Sequence, residues 1–265
     1  MKIVVCVKHV PDATASRSFD ADHTVDRASV DGLLSELDEY AIEEALTIRD
    51  GADGEGEVVA LTIGPEQAAD AVRKSLQMGA DSGVHVVDDG IAGSDSLATS
   101  QVLAAAVDRI SAASDQVDLV LCGMASTDGT MGVVPAMLAE RLSLPAVTYA
   151  AEVTIAGDAV TVRRDSDTAT ETVEARLPAV VSVTDQINEP RYPSFKGIMA
   201  AKKKPVETWS LSDLGVDPAQ VGLSAASSVV VSTEARPPRS AGTVVTDEGD
   251  GGTALADYLA SQKFV

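Results

Sequence analysis

The chain has 265 residues, 45% hydrophobic but only 3% aromatic, so one large domain is expected, with a core of Val, Ala, Leu and Ile and room for an appendage. Its formal charge of −21, from 41 Asp and Glu against 20 Lys and Arg, argues against nucleic acid as a partner, because a polyanion would be repelled. No apolar run approaches the roughly 18–20 residues of a membrane span, and no small-residue cleavage site follows the first apolar run, so a cytoplasmic protein is expected.

Residues 2–10, KIVVCVKHV, are a continuous β-rich apolar run, as in a strand buried on both faces. Residues 36–49 place Leu37, Tyr40, Ala41, Ala45 and Ile48 on one helical stripe and the acids on the other. A second buried strand is predicted over 56–64, then a helix over 65–79 that opens on Pro65 and stops at Gly79. A third strand over 83–87, a helix over 94–114, a fourth strand over 117–123 and a helix from about 133 to 142 complete the alternation. Strands alternating with helices of this length predict βαβ units, hence an α/β fold with a doubly wound, mostly parallel sheet.

After Pro145 the texture changes. Residues 147–165 are two β-rich runs around Gly157-Asp158, a hairpin signal, and 171–185 offer another pair of strands, read as additions to the same sheet. From about Glu207 the alternation fades, residues 232–252 are rich in Ser, Pro and Gly, and 253–264 carry a short helical signal. The organisation expected is a domain over 1–207 and an extended C-terminal arm over 208–265, too poor in apolar residues to fold alone.

In a doubly wound sheet, ligands bind beyond the carboxyl ends of the strands. Three turns meet there: Lys8-His9-Val10-Pro11, Gly64-Pro65-Glu66, and GMASTDGTMG over 123–132, where glycines permit close backbone approach and amides and hydroxyls can take phosphate. A plain strand-to-helix loop has the same composition, so both readings stay open on physical grounds alone. His9, His23 and His85 do not fall at metal-ligand spacing with Cys or carboxylates. Cys6 and Cys122 lie inside apolar runs, as buried thiols of a reducing compartment do. Neither a Walker A sequence nor a nucleophile elbow occurs, and no acid–base pair stands out. The composition points to a holder of a ligand, not a catalyst. The acidic surface, with few lysines and scattered acids, fits adaptation to high salt as well as simple solubility.

Five of the 20 cations crowd into residues 189–205, EPRYPSFKGIMAAKKKP. This segment, together with KIVVCVKHVPD, LDEYAIEEAL, MGAD, DLVLCG and LPAVVSV, resembles the β (small) subunit of electron transfer flavoproteins, in order from residue 1 to about 207. The resemblance implies a heterodimer with a larger α subunit that carries most contacts to a redox-active FAD, and electron traffic between flavin dehydrogenases and a membrane quinone reductase. It implies a second nucleotide in the β subunit itself, AMP in the ordinary branch and a second FAD in the bifurcating branch. Carried over by position, that pocket comprises Cys6, Val7, Lys8, Leu37, Asp38, Ile63 and Gly64, and the loop Gly123, Met124, Ala125, Ser126, Thr127, Asp128, Gly129, Thr130, Met131, Gly132, Val133 and Val134. Met131-Gly132-Val133-Val134 lacks the amide side chains of the AMP branch, while Asp128-Gly129 and Val134 look more like the bifurcating branch, so a second flavin is expected, with AMP the alternative. The docking loop implied for dehydrogenases comprises Arg191, Tyr192, Phe195, Lys196, Ile198, Met199, Lys202, Lys203 and Lys204, with Phe195 where family members commonly have Leu. Two competing readings are a stand-alone adenine-nucleotide-binding regulatory or stress-type domain, which would not need the 188–205 patch, and an ATP-consuming ligase, which should carry a glycine-rich loop where KHVPDA stands.

Overall fold

Apolar runs without a polar alternation can only be sheet interior covered on both sides, and that is where the first runs lie. In the computed structural model, which describes residues 1–52, 54–113, 115–238 and 242–265, strands β1 (Lys2–Cys6), β2 (His9–Pro11) and β3 (Gly32–Leu34) precede helix α1 (Glu36–Gly51). Next come β4 (Glu57–Ile63), α2 (Ala69–Met78), β5 (Ser82–Val86), α3 (Ser96–Ala113), β6 (Leu119–Gly123) and α4 (Val134–Leu142). Strands β7 (Ala146–Ala150), β8 (Glu152–Ala156), β9 (Ala159–Asp165), β10 (Thr170–Arg176) and β11 (Ala179–Val183) follow, then α5 (Phe195–Ala201), β12 (Val206–Trp209), α6 (Leu211–Leu214) and α7 (Gly251–Ser261).

Seven strands form one sheet in the order β12-β5-β4-β1-β6-β11-β7, every neighbouring pair parallel. Alternate residues feed the two faces. Ile3, Val5, Leu119 and Leu121 pack with α1 and α2, while Val4, Val120 and Cys122 pack with α3 and α4. This is the doubly wound α/β fold expected.

The later strands divide by pattern. β11, buried at all five positions, joins β6 and β7 in the main sheet. β8, β9 and β10, which alternate or are exposed on one face, form a separate antiparallel sheet in the order β10-β9-β8. The hairpin at Gly157-Asp158 is present, but these three strands are not additions to the main sheet, because half-polar strands suit a sheet with one solvated face. The run from 147 to 156, read as one strand, is split: Tyr149 takes a left-handed φ of 62°, and the chain passes from one sheet to the other at Ala151. The helix expected over 65–79 opens as a 3₁₀ turn, Glu66–Ala68, before α2.

Two compact units result, Met1–Val231 and Ser232–Val265. The first includes residues 208–231, where Trp209, Leu211, Val216 and Val221 are buried. The second contains α7, none of whose residues is buried; of the Pro-rich stretch 234–240, residues 239 and 240 lie outside the described residues. Among the described residues, no helix is long and apolar enough to cross a membrane.

One expectation for α1 fails. Its acids do not all face water: Asp38, Glu43 and Glu44 are buried, because distant segments supply them with donors. Asn188 Nδ2 donates to Glu44 at 3.2 Å. Arg191 engages both oxygens of Glu43, at 2.7 and 2.8 Å, with its backbone amide adding a third bond. Asp38 accepts from the Lys8 amide at 2.8 Å, but burial outweighs that bond and the one from the Gly123 amide, pushing its pKa up to about 7. The unfolded carboxyl titrates near 4, so the folded state holds this proton more tightly. Asp38 therefore contributes a stability that is full below about pH 4 and lost as pH rises through about 7. Denaturant unfolding of wild type and Asp38→Asn at pH 5 and pH 8 checks this. The difference between them should move in the variant's favour at pH 8, and parallel pH dependences would refute it.

Candidate functional site

Parallel pairing brings the carboxyl ends of β1, β4 and β6 level, with Cys6 opposite both Leu61 and Cys122. The Val7 amide continues the ladder to the Leu61 carbonyl at 2.8 Å, and the Val7 side chain points into the core. Only its backbone is on offer at this edge. Cys6 and Cys122 are free thiols; their mutual hydrogen bond, together with burial, pushes the Cys122 thiol well up, which leaves it a protonated core group instead of a nucleophile.

The start of α1 packs against the end of β6. A Cβ on Gly123 would lie 2.6 Å from Asp38 Oδ1 and 2.8 Å from the Leu37 carbonyl. Glycine at 123 lets α1 approach, since a Cβ there would run into Leu37 and Asp38. Gly64 plays the same part beside Ala68, whose Cβ would be 2.8 Å from a Cβ at 64, and His85 Nε2 lies 3.0 Å from the Gly64 carbonyl. Gly129 differs: a Cβ there would meet only Ser126 Oγ, at 3.3 Å.

Within the 123–132 loop the Thr130 amide donates to the Ser126 carbonyl at 2.9 Å, closing a turn, and Thr130 and Gly132 both have left-handed φ, 52° and 66°. Asp128 is the fixed point of this loop, its side chain only 2% exposed. It accepts from Lys8 Nζ at 2.9 Å, from the Gly129 amide at 2.7 Å and from Arg27 Nη2. Burial alone would raise its pKa, but the charge of Lys8 and the bonds from Ser126 and Arg27 prevail and hold the carboxyl far below the usual carboxylate range. Met131 is exposed, its sulfur accepting from Ser96 Oγ at 3.3 Å.

Helix starts supply the rest of the edge. Side chains cap α5 through Ser194 and α6 through Ser210, and Asp95 accepts from the Ala98 amide at the start of α3. No side chain caps α1 at Ser35, the 3₁₀ turn at Pro65 or α4 at Val133, the three starts that face the carboxyl ends of β1, β4 and β6. Ser35 Oγ is buried and without a hydrogen-bond partner among the described residues. These starts therefore have no side chain on their first amides, and first-turn amides of that kind are donors an anion can take.

Three residues absent from the sequence reading also belong here. Arg17 Nη1 donates to the Thr127 carbonyl at 3.0 Å, Arg27 reaches Asp128, and the Tyr149 hydroxyl lies 2.6 Å from where a Cβ of Gly132 would stand. The available signal was that Arg17 and Arg27 are the only cations between Lys8 and Arg49, among seven acids at 12–38.

The 189–205 segment lies on α1 and α2, away from the edge just described. Arg191 is committed to Glu43 and, at 3.2 Å, to Asp50. Lys204 Nζ donates to the Leu76 and Gly79 carbonyls at 3.2 Å each and to Ala80, satisfying the end of α2. Tyr192 and Phe195 are 94% and 80% exposed, Ile198 and Met199 are exposed beside them, and Lys196, Lys202 and Lys203 are exposed around them. The segment thus separates into two cations that hold it down and an apolar group ringed by cations that it displays.

An electron transfer flavoprotein domain model matches residues 22–214. The chain is 49% identical over 267 residues to the electron transfer flavoprotein subunit beta of Mycobacterium tuberculosis, covering 99% of each. It is 35% identical over 271 residues to the subunit of the same name from Megasphaera elsdenii, covering 100% of each. It is also 35% identical over 246 residues to a subunit of the caffeyl-CoA reductase-Etf complex of Acetobacterium woodii, 93% of this chain and 92% of that one. The family model over residues 22–214 and these identities over at least 92% of each chain show that the chain belongs to the electron transfer flavoprotein family, as a β-type electron-carrier subunit.

Proposed function

We propose that the chain pairs with a larger α subunit, that the pair holds a redox FAD, and that this subunit binds a second nucleotide at the carboxyl edge of β1, β4 and β6. The observation that carries the nucleotide site is the convergence of three helix starts without side-chain caps. Phosphate oxygens bound there would take the orphan amides and the positive helix ends together. Charge supports it: in a chain of net −21, Lys8, Arg17 and Arg27 all reach the loop, two of them paired with Asp128. With no amide side chain in Met131-Gly132-Val133-Val134, the backbone must hold the phosphates. We take the ligand to be a second FAD, with AMP the alternative. A bound flavin supplies the redox chemistry; this chain's own residues bind and orient.

Denaturing the purified heterodimer and separating the released nucleotides tests the site. A second nucleotide beside the first FAD is expected, and Gly129→Val should remove most of it by placing methyls where only Ser126 Oγ now approaches. One FAD per heterodimer and no AMP would overturn the proposal.

Electrons would enter from flavin dehydrogenases and leave to a quinone reductase at the membrane, with or without bifurcation. The docking surface proposed for dehydrogenases is the group around Phe195. A cytoplasm rich in salt, consistent with the charge balance and the two free thiols, decides which of its parts matters. At molar salt the Debye length is about 3 Å, so Lys196, Lys202 and Lys203 steer weakly, whereas burying the Phe195 ring is worth about 1.5–3 kcal/mol and is not screened. Phe195→Ala should therefore slow reduction at sub-saturating dehydrogenase about ten- to a hundredfold with flavin content unchanged. A wild-type rate would remove the assignment.

The 208–265 arm is proposed to meet the α subunit through its last unit, whose helix α7 exposes Leu255 and Tyr258. Among the described residues, none after Val221 belongs to either core cluster. A chain ending at Val231 should therefore unfold at the same denaturant concentration as the full chain, yet bind the α subunit at least tenfold more weakly. Equal affinity for the α subunit would count against the arm.

A further inference from the structure

Residues 12–31, the excursion between β2 and β3, have little regular structure of their own beyond a bridge of Phe19 to Val25. They nonetheless deliver two guanidinium groups to the glycine-rich loop, Arg17 to the Thr127 carbonyl and Arg27 to the Asp128 carboxylate. The second contact is the informative one. A carboxylate set in an anion-binding loop would oppose any phosphate if left unpaired. Here each Asp128 oxygen has a cation, Lys8 on Oδ1 and Arg27 on Oδ2, and Oδ1 also takes the Gly129 amide. Arg27 is 39% and Lys8 43% exposed, whereas Asp128 is nearly enclosed. The carboxylate is thus a buried peg gripped from two chain segments, 120 and 101 residues away. What it fixes is the Ser126–Thr130 turn, the part of the loop that leads to the uncapped start of α4.

We infer that Arg27 is a positioning residue of the nucleotide site, acting through Asp128 to hold the turn that presents backbone donors to phosphate, and not by touching the ligand. This rests on the nucleotide reading proposed above. The inference has a signature that general destabilisation lacks: effects of Arg27 and Asp128 on affinity should not add, because both remove one contact. The heterodimer in its wild-type, Arg27→Ala, Asp128→Asn and doubly substituted forms, freed of the second nucleotide, is titrated calorimetrically with AMP and with FAD. Arg27→Gln replaces Arg27→Ala if the latter yields no soluble complex. Each single change is expected to weaken binding about tenfold, and the double variant to bind no more weakly than Asp128→Asn alone. Unchanged affinity in Arg27→Ala overturns the inference. So does a further tenfold loss on adding Arg27→Ala to Asp128→Asn, which would mean direct contact with the ligand. Wild type binding neither AMP nor FAD would instead overturn the nucleotide reading, and this one with it.

Discussion

Asp38 stands where three chain segments have to meet. Its carboxylate takes the amides of Lys8 and Gly123, at the ends of β1 and β6, while its backbone belongs to the first turn of α1. A parallel sheet leaves its strand ends side by side with nothing between them, and helices can close over such an edge only where the backbone comes near. Here that nearness is secured by a glycine with no Cβ and by an acid that supplies both acceptors. The position of α1, and with it the level of the glycine-rich loop, follows from this junction. The cost is a carboxyl held out of water beyond the reach of full compensation, visible in its raised pKa.

A second buried acid, Asp128, shows the opposite balance. Burial also opposes its charge, but two cations and several hydrogen bonds prevail. Two carboxylates near the same strand ends are thus pushed in opposite directions, Asp38 up by its burial and Asp128 down by its cations and hydrogen bonds. One ties the scaffold and the other ties the loop.

Much of the scaffold was legible in the sequence, because KIVVCVKHV, GEVVALTIG and VDLVLCG are apolar at every phase and can only be interior strands. The separate sheet was not, since the break depends on the left-handed backbone of Tyr149, and a tyrosine in that conformation has no local signature. The burial of Glu43 and Glu44 was hidden because their partners, Arg191 and Asn188, lie 148 and 144 residues further on. The three strand-end turns were found by topology, but Arg17 and Arg27 sit in a stretch with neither period nor motif. The approach of α1 to Gly123 was also hidden, since a glycine that admits a ligand and one that admits a helix look alike in sequence.

Helix α5 is short, and a helix of about two turns at a surface would ordinarily fray. It is pinned at several points: Ser194 caps it through the Gly197 amide, a Cβ at Gly197 would stand 2.6 Å from the Gln77 carbonyl of α2, and Arg191 and Lys204 tether the chain on either side. The ring of Phe195 is consequently offered from a preorganised shelf. A molecule that covers it has little backbone to order first, so most of the solvent-exclusion gain remains available as affinity. That economy favours a small contact that forms and separates quickly.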